Sequence, residues 1–414
     1  MTSAAHKTRT LWLTGMLHAF THVYHVALMP LYLLIQKDLQ LSRVDQATLL
    51  MTVLGIAYFV PAYPMGWLAD RFSKRKLLTI GLLINGAGFV VLGLAPNYPV
   101  ALAAMIIAGF GGSFFHPAAT ALIARLFPVG TGRALGMIGI GAGVGFFIGP
   151  VYTGWRAAVS GWRAPVIELG VLGMIGAIVF WWLADEEPAA TPAAKSHASG
   201  QCLFPTPALW TFFIAAAFCF SMRDFGGSGV GSLGSLFLQK AHGMDPKHTG
   251  FLLSAIFLAA AVSNPIFGHL SDGGRRRWIT LVLVLAAGIV AAFPHVPAGW
   301  IGPMLAAYGF FFMGSYPMVE AMVMQSVPDA VRGRVFGFWI TIGGLLGNIS
   351  HWFVGHWVRR LGPDAYTPDA YFGIYALLGA LIVLALLGLP CLHVLRRQEE
   401  QIETVAPVAQ PTMR

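Results

Sequence analysis

Apolar runs of membrane-spanning length follow one another along almost the whole chain, separated by short charged or proline-rich breaks. A bilayer core needs roughly 17 to 25 apolar residues, or more if the helix tilts. By that measure the first half carries runs at Leu11–Ile35, Ala47–Ala69, Leu77–Ala95, Val100–Phe127, Ala134–Val159 and Ala164–Ala184. The second half repeats the pattern at Pro207–Leu238, Thr249–Leu270, Ile279–Phe293, Ala298–Val327, Val335–Val358 and Ala370–Leu392. The pattern predicts an all-α membrane protein of about twelve transmembrane helices in two six-helix halves.

Composition agrees with lipid as the main solvent. Hydrophobic residues make up 57% of the 414 and charged residues 10%, whereas a soluble domain carries roughly a quarter charged residues. The net charge of +9 does not point to nucleic acid, because the Lys and Arg sit in short clusters between apolar runs. Cys202, Cys219 and Cys391 are odd in number and far apart, which leaves no disulfide framework or CxxC metal knuckle. The first apolar run is too long for a signal-peptide core of roughly 7 to 15 residues, so it is expected to stay as the first helix.

Most Lys and Arg fall in alternate loops, on the side that holds Lys7 and Arg9, Arg71 to Lys76, Arg125 and Arg133, Arg275 to Arg277, and Arg332 and Arg334. By the positive-inside rule that side is cytoplasmic, with both termini on it. Residues 185–206 are rich in Ala, Pro and Ser and read as a flexible cytoplasmic linker. The domain reading is a six-helix half over 1–184, the linker, a second half over 207–393 and a tail over 394–414.

The halves are related by a direct repeat. Gly66 and Asp70 recur 202 residues later as Gly268 and Asp272, each pair followed by a basic cluster. Gly109, Pro117 and Pro128 recur 200 residues later as Gly309, Pro317 and Pro328. Parallel six-helix repeats place a binding site between the halves near mid-membrane, where rocking of one half on the other gives alternating access.

Ionisable groups inside these helices are costly and usually face a cavity. His18, His22 and His25 share an arc of about 60° on the first helix. With His116, Arg223, Asp224, Glu320 and His351 they form the candidate substrate or proton pathway. By the repeat, Asp224 lies near the counterpart of His22, and Tyr316 corresponds to His116. Imidazole, with an ordinary pKa of about 6.5, is the natural proton carrier. His18 and His22, one turn apart, could share a metal ion, but a useful site needs a third or fourth ligand, so no metal is assigned. Glu168 sits near a helix end, where pairing with Arg163 is as good a reading as function. On the fifth helix, Gly141, Gly145 and Gly149 lead into Pro150, and small residues at that spacing let helices pack closely.

The repeat pattern and the segment Gly66, Asp70, Arg71, Lys74, Arg75 resemble the major facilitator superfamily along the whole chain, with Ser73 where the family signature has its second Gly. The resemblance implies gating by Gly66, Asp70, Arg71, Arg75 and their counterparts Asp272 and Arg276, where helix-end charges can lock one conformation and release another. The helix-five Gly-Pro pattern is similar to that of drug–proton antiporters. The stretch Gly109 to Pro117, with His18, resembles the fosmidomycin-resistance branch of efflux proteins. Met105 stands where many antiporters of the family have an Arg, so a proton pathway here is expected to use His18, His22, Asp224 and Glu320.

No phosphate-cradling GxxxxGK[ST] occurs, so no ATP drive and no cofactor are expected. The resulting expectation is a monomeric inner-membrane secondary transporter, exchanging a small compound, with anions among the candidates, for protons. Import of a small organic acid or metal chelate is the alternative. A membrane enzyme is disfavoured because no nucleophile and base stand at local spacing, and a receptor because no domain-sized soluble segment is present.

Overall fold

Lipid gives backbone N–H and C=O groups no partner, so each span must close its own hydrogen bonds as a helix. The computed structural model describes residues 4–186, 203–204, 206–327 and 331–405, and among them every regular element is helical. Ten helical stretches are long and apolar enough to cross a membrane: Ala5–Asp38, Val44–Arg71, Lys74–Leu94, Tyr98–Leu126, Thr131–Ser160, Arg163–Leu183, Pro207–Lys240, Pro246–Leu270, Arg275–His295 and Pro368–Arg397. The tenth and eleventh helices in order, Ile301–Met324 and Arg332–Arg360, have the length but lie outside those ten. They carry Ser315, Tyr316, Glu320, Asn348 and His351. They complete six spans on each side of residues 187–202.

Several spans are broken where the sequence removes a backbone donor or offers small residues. The first is α-helical over Ala4–Val26, turns through a 3-10 stretch at Met29–Leu31 around Pro30, and resumes at Tyr32–Asp38. The second breaks before Ala62 at Pro61, and the fourth between Gly112 and Phe115. The twelfth extends further than its apolar pattern, with helix Gly388–Val405 running past the expected end at Leu392. The expected tail therefore begins as helix. The ends of the expected linker are also anchored: Asp185 accepts from the Thr10 hydroxyl at 3.2 Å, Arg75 meets Glu186 at 3.2 Å, and Phe204 packs 5.1 Å from Trp210. Residues 187–202, Cys202 among them, and residue 205 of that linker lie outside the described residues, as does Pro328.

The repeat is visible in packing. A Cβ on Gly109 would collide with the Leu54 carbonyl of the second span, and one on Gly309 with the Ile256 carbonyl of the eighth. The same close approach thus occurs at equivalent places in the two halves.

The six glycines of the fifth span from Gly136 to Gly149 divide into two sets. A Cβ on Gly141 or Gly145 would strike the carbonyl of Gly15 or Ala19 on the first span, and one on Gly149 would press on Val26. Gly136, Gly139 and Gly143 face open space.

The halves meet on the side away from the basic loops. Thr52 donates to the Asn348 carbonyl at 2.7 Å, Ser254 to the Phe147 carbonyl at 2.9 Å, and Asp45 lies 3.7 Å from Arg359. Gly250 abuts the Pro150 carbonyl and Gly154 the Pro246 carbonyl, in both cases so closely that a Cβ would clash. Towards the basic loops a Cβ on Gly136, Gly139, Gly268 or Gly337 would meet nothing within 4 Å. The fifth and eighth spans part on that side, while Tyr63 of the second span still meets Phe338 of the eleventh at 6.0 Å, leaving a cleft closed at one end.

Candidate functional site

Two polar clusters face this cleft, one in each half. In the first half, His22 Nε2 lies 3.0 Å from His18 Nε2, and His18 Nδ1 donates to the Ile138 carbonyl at 2.9 Å. His116, placed at the start of the second segment of the broken fourth span, brings its ring centroid to 5.4 Å from that of His18 and 6.0 Å from that of His22. Phe115 stacks on His18 at 4.7 Å and Phe146 lies 4.3 Å from His22. His25 donates from Nδ1 to the Thr21 carbonyl at 2.8 Å and sets its ring 4.6 Å from Tyr58. It continues the stripe towards the closed side without joining the trio. His22 Nδ1, His25 Nε2 and the Tyr58 hydroxyl are buried without a hydrogen-bond partner.

In the second half, Arg223 is 2% exposed and pairs with Asp224 at 2.8 Å. Sequence neighbours on a helix point about 100° apart, but the long guanidinium arm folds back to close the pair. Tyr316 donates its hydroxyl to Asp224 Oδ1 at 3.0 Å and offers its ring to the guanidinium at 4.0 Å. Ser315 receives Arg223 Nη1 at 3.4 Å. Glu320 follows Tyr316 by one turn on the same helix and is exposed, which for a carboxylate at this depth means that it faces the cleft rather than lipid. The His22–His116 contact and the Asp224–Tyr316 hydrogen bond occupy repeat-equivalent positions.

Two other sequence candidates sit elsewhere. His351 is buried in the closed seam, its Nδ1 2.7 Å from the Ser232 hydroxyl, which is itself 2.8 Å from Tyr32. Glu168 pairs not with Arg163 but with Arg156 at 2.8 Å, and accepts from Tyr152 at 2.6 Å. Positions five apart on a helix lie about 140° apart, so Arg163 turns away to Asp38 at 2.8 Å. Met105 is fully buried.

The comparisons with known proteins add to this geometry. The family model described as Major Facilitator Superfamily matches residues 11–350. The chain belongs to the Major Facilitator Superfamily. Among its relatives, the fosmidomycin resistance protein of Escherichia coli (strain K12) is 22% identical over 337 residues, covering 79% of this chain and 82% of that protein. Multidrug resistance protein 2 of Bacillus subtilis (strain 168) is 25% identical over 315 residues, covering 72% and 76%. Of solved structures, a bacterial homologue of the human lysosomal transporter Spinster superposes with a TM-score of 0.78 at 18% identity, covering 96% of this chain and 98% of that one. This member of the Major Facilitator Superfamily is thus a multi-pass membrane transporter.

Its signature loop is built from both charge and rings. Gly66 lies on the last helical segment before the loop, near Pro117. Asp70 is exposed and has no ion pair among the described residues. Arg71 lies over the Trp67 ring at 3.9 Å, and Arg75 donates to the Ala184 carbonyl at 3.1 Å with its guanidinium 4.6 Å from Trp181. In the second half Arg276 is exposed and Arg275 bonds Gln325, while the Asp272 side chain lies outside the described residues.

Sequence reasoning missed Tyr58, Phe115, Phe146, Ser315 and the Tyr32–Ser232 link. The repeat carried a signal for Tyr316 alone.

Proposed function

We propose that this transporter moves a small compound by alternating access, in exchange for protons, with the basic-loop side and both termini in the cytoplasm of an inner-membrane protein. The observation that carries the reading is the pair of titratable clusters at repeat-equivalent positions, His18–His22–His116 and Arg223–Asp224–Tyr316 with Glu320, on either side of a cleft closed at one end. Efflux is supported by the relatives, which are named as resistance proteins. The charge bias of the loops supports the orientation.

Exchange needs substrate and proton to exclude each other at one site. A compound that engages the ionised Asp224 or Glu320 meets that condition, because protonation removes its partner. An anion drawn to Arg223 behaves oppositely. Protonation of Asp224 releases the guanidinium for it, so anion and proton bind together. The 2.8 Å Arg223–Asp224 pair therefore favours a second reading for acidic substrates, cotransport of the anion with a proton.

The direction of the accelerating gradient separates the two readings. Uptake into inside-out vesicles, with an inward or outward pH gradient, should be driven by an acidic interior under exchange and by an acidic exterior under cotransport. His22→Gln should abolish gradient-driven accumulation while equilibrium exchange survives in part. Accumulation unaffected by this substitution would remove His22 from the pathway.

A further inference from the structure

The first helix by itself offers two imidazoles one turn apart; the fold brings a third from the fourth span. One ring nitrogen from each of His18, His22 and His116 lies within 4.8 Å of the other two. We propose that this trio binds one divalent transition-metal ion of the zinc class through three imidazoles, with a coordination position left open to the cleft.

The donor set decides the class of ion. Three imidazoles without a carboxylate or thiolate suit zinc, cobalt, nickel or copper, whereas magnesium and calcium require oxygen. Three protein ligands with one open position are the arrangement of zinc sites that exchange a small ligand. The burial pattern matches, since His18 is buried while His22 and His116 are half-buried on the cleft side.

The tautomer of His18 is fixed from outside. A carbonyl can only accept, so His18 Nδ1 carries the proton in its bond to Ile138, and in the neutral ring Nε2 presents a lone pair to the trio. This is the outer-shell contact that orients metal-ligating histidines. A second observation is independent of it. His22 Nδ1 is buried without a hydrogen-bond partner, so the trio's hydrogen bonds do not satisfy its own members.

The distances are within reach of an ion. Metal–nitrogen bonds of about 2.0–2.1 Å place tetrahedral donors about 3.4 Å apart. The His18–His22 contact of 3.0 Å is close to that, and the widest separation must shrink by at most about 1.4 Å. Tilting the His116 ring supplies such a change. Phe115 and Phe146 wall the site against water, which strengthens ligation by neutral nitrogens.

The ion and the proton compete for the same lone pairs. Other titratable groups at the trio are His25 on the first span and Tyr58 on the second; the fifth span presents the Ile138 carbonyl and the Phe146 ring. The inference goes beyond the proton-pathway reading and does not rest on it.

The test is a cobalt(II) titration of the full-length protein purified in detergent, followed by the visible d–d spectrum. The expected result is saturation at one equivalent with a tetrahedral-type spectrum, reversed by zinc. His18→Gln and His116→Gln should each weaken binding by at least about tenfold, and His25→Gln should leave it unchanged. Absence of saturable binding by the wild type, or binding unaltered in both trio variants, would overturn the proposal. If a variant aggregates on size exclusion, the wild-type spectrum decides, because an octahedral spectrum typical of oxygen ligands also overturns it. Gradient-driven transport measured with a chelator present tests the proton pathway separately, so either idea can fail while the other stands.

Discussion

The Tyr32 hydroxyl lies 2.8 Å from the Ser232 hydroxyl, joining the first span of one half to the first span of the other. Ser232 passes the chain on to His351 at 2.7 Å, so three spans are tied by one file of polar groups on the closed side. Tyr32→Phe removes one bond of this file, a loss of about 1 kcal/mol, or roughly fivefold in the balance between conformations. Spin labels placed on the two basic loops should report a larger fraction of molecules with those loops close together. An unchanged distance distribution would show that the file does not hold the seam.

A glycine at the seam between the halves and one facing open space should respond differently to a methyl group. Gly250→Ala forces a Cβ into the Pro150 carbonyl, and overpacking of this kind costs about 1–3 kcal/mol. Gly139→Ala meets no neighbour and exchanges a poor helix former for a good one. Thermal midpoints in detergent should fall clearly for the first and hold or rise for the second. Equal losses would mean that the seam contact contributes nothing specific.

Asp224→Asn leaves a nearly inaccessible guanidinium with a weaker partner. Breaking fully buried pairs costs about 3–5 kcal/mol, and the 19% exposure of Asp224 lowers that figure. Gradient-driven accumulation should be lost, some equilibrium exchange should remain, and Asp224→Glu should restore coupling in part. Wild-type accumulation by the Asn variant would place the coupling proton elsewhere, with Glu320 next in line.

Asp70 stands exposed without an ion pair among the described residues while the basic-loop side is parted. If it locks the opposite conformation, Asp70→Asn should slow turnover and leave substrate affinity largely intact. Binding and transport rates measured on one preparation check this, and parallel loss of both argues against a gate.

The sequence carried the span pattern and the repeat because both live in side-chain polarity and in glycine and proline positions. His22 with His116 and Asp224 with Tyr316 could be paired by offset before any contact was known. What could not be read depends on backbone atoms and on packing between distant spans. The Ile138 carbonyl that orients His18 is an acceptor every residue possesses. Glu168 chose Arg156 over Arg163 because a helical turn aimed one arginine away. His351 looked like a cavity group by depth alone, and its partner Ser232 became visible only when the seventh and eleventh spans were placed side by side.

Where Gly154 and Gly250 meet the carbonyls of Pro246 and Pro150, main chain rests on main chain with no side chain between them. Long side chains in such a place would yield gradually, like a spring, and let the seam drift through intermediate widths. Bare backbone cannot do so, because a gap of about 0.5–1 Å already forfeits a quarter to a half of its contact energy. The fifth and eighth spans are therefore expected to part abruptly rather than by degrees, as a path that must never stand open to both sides of the membrane at once would require.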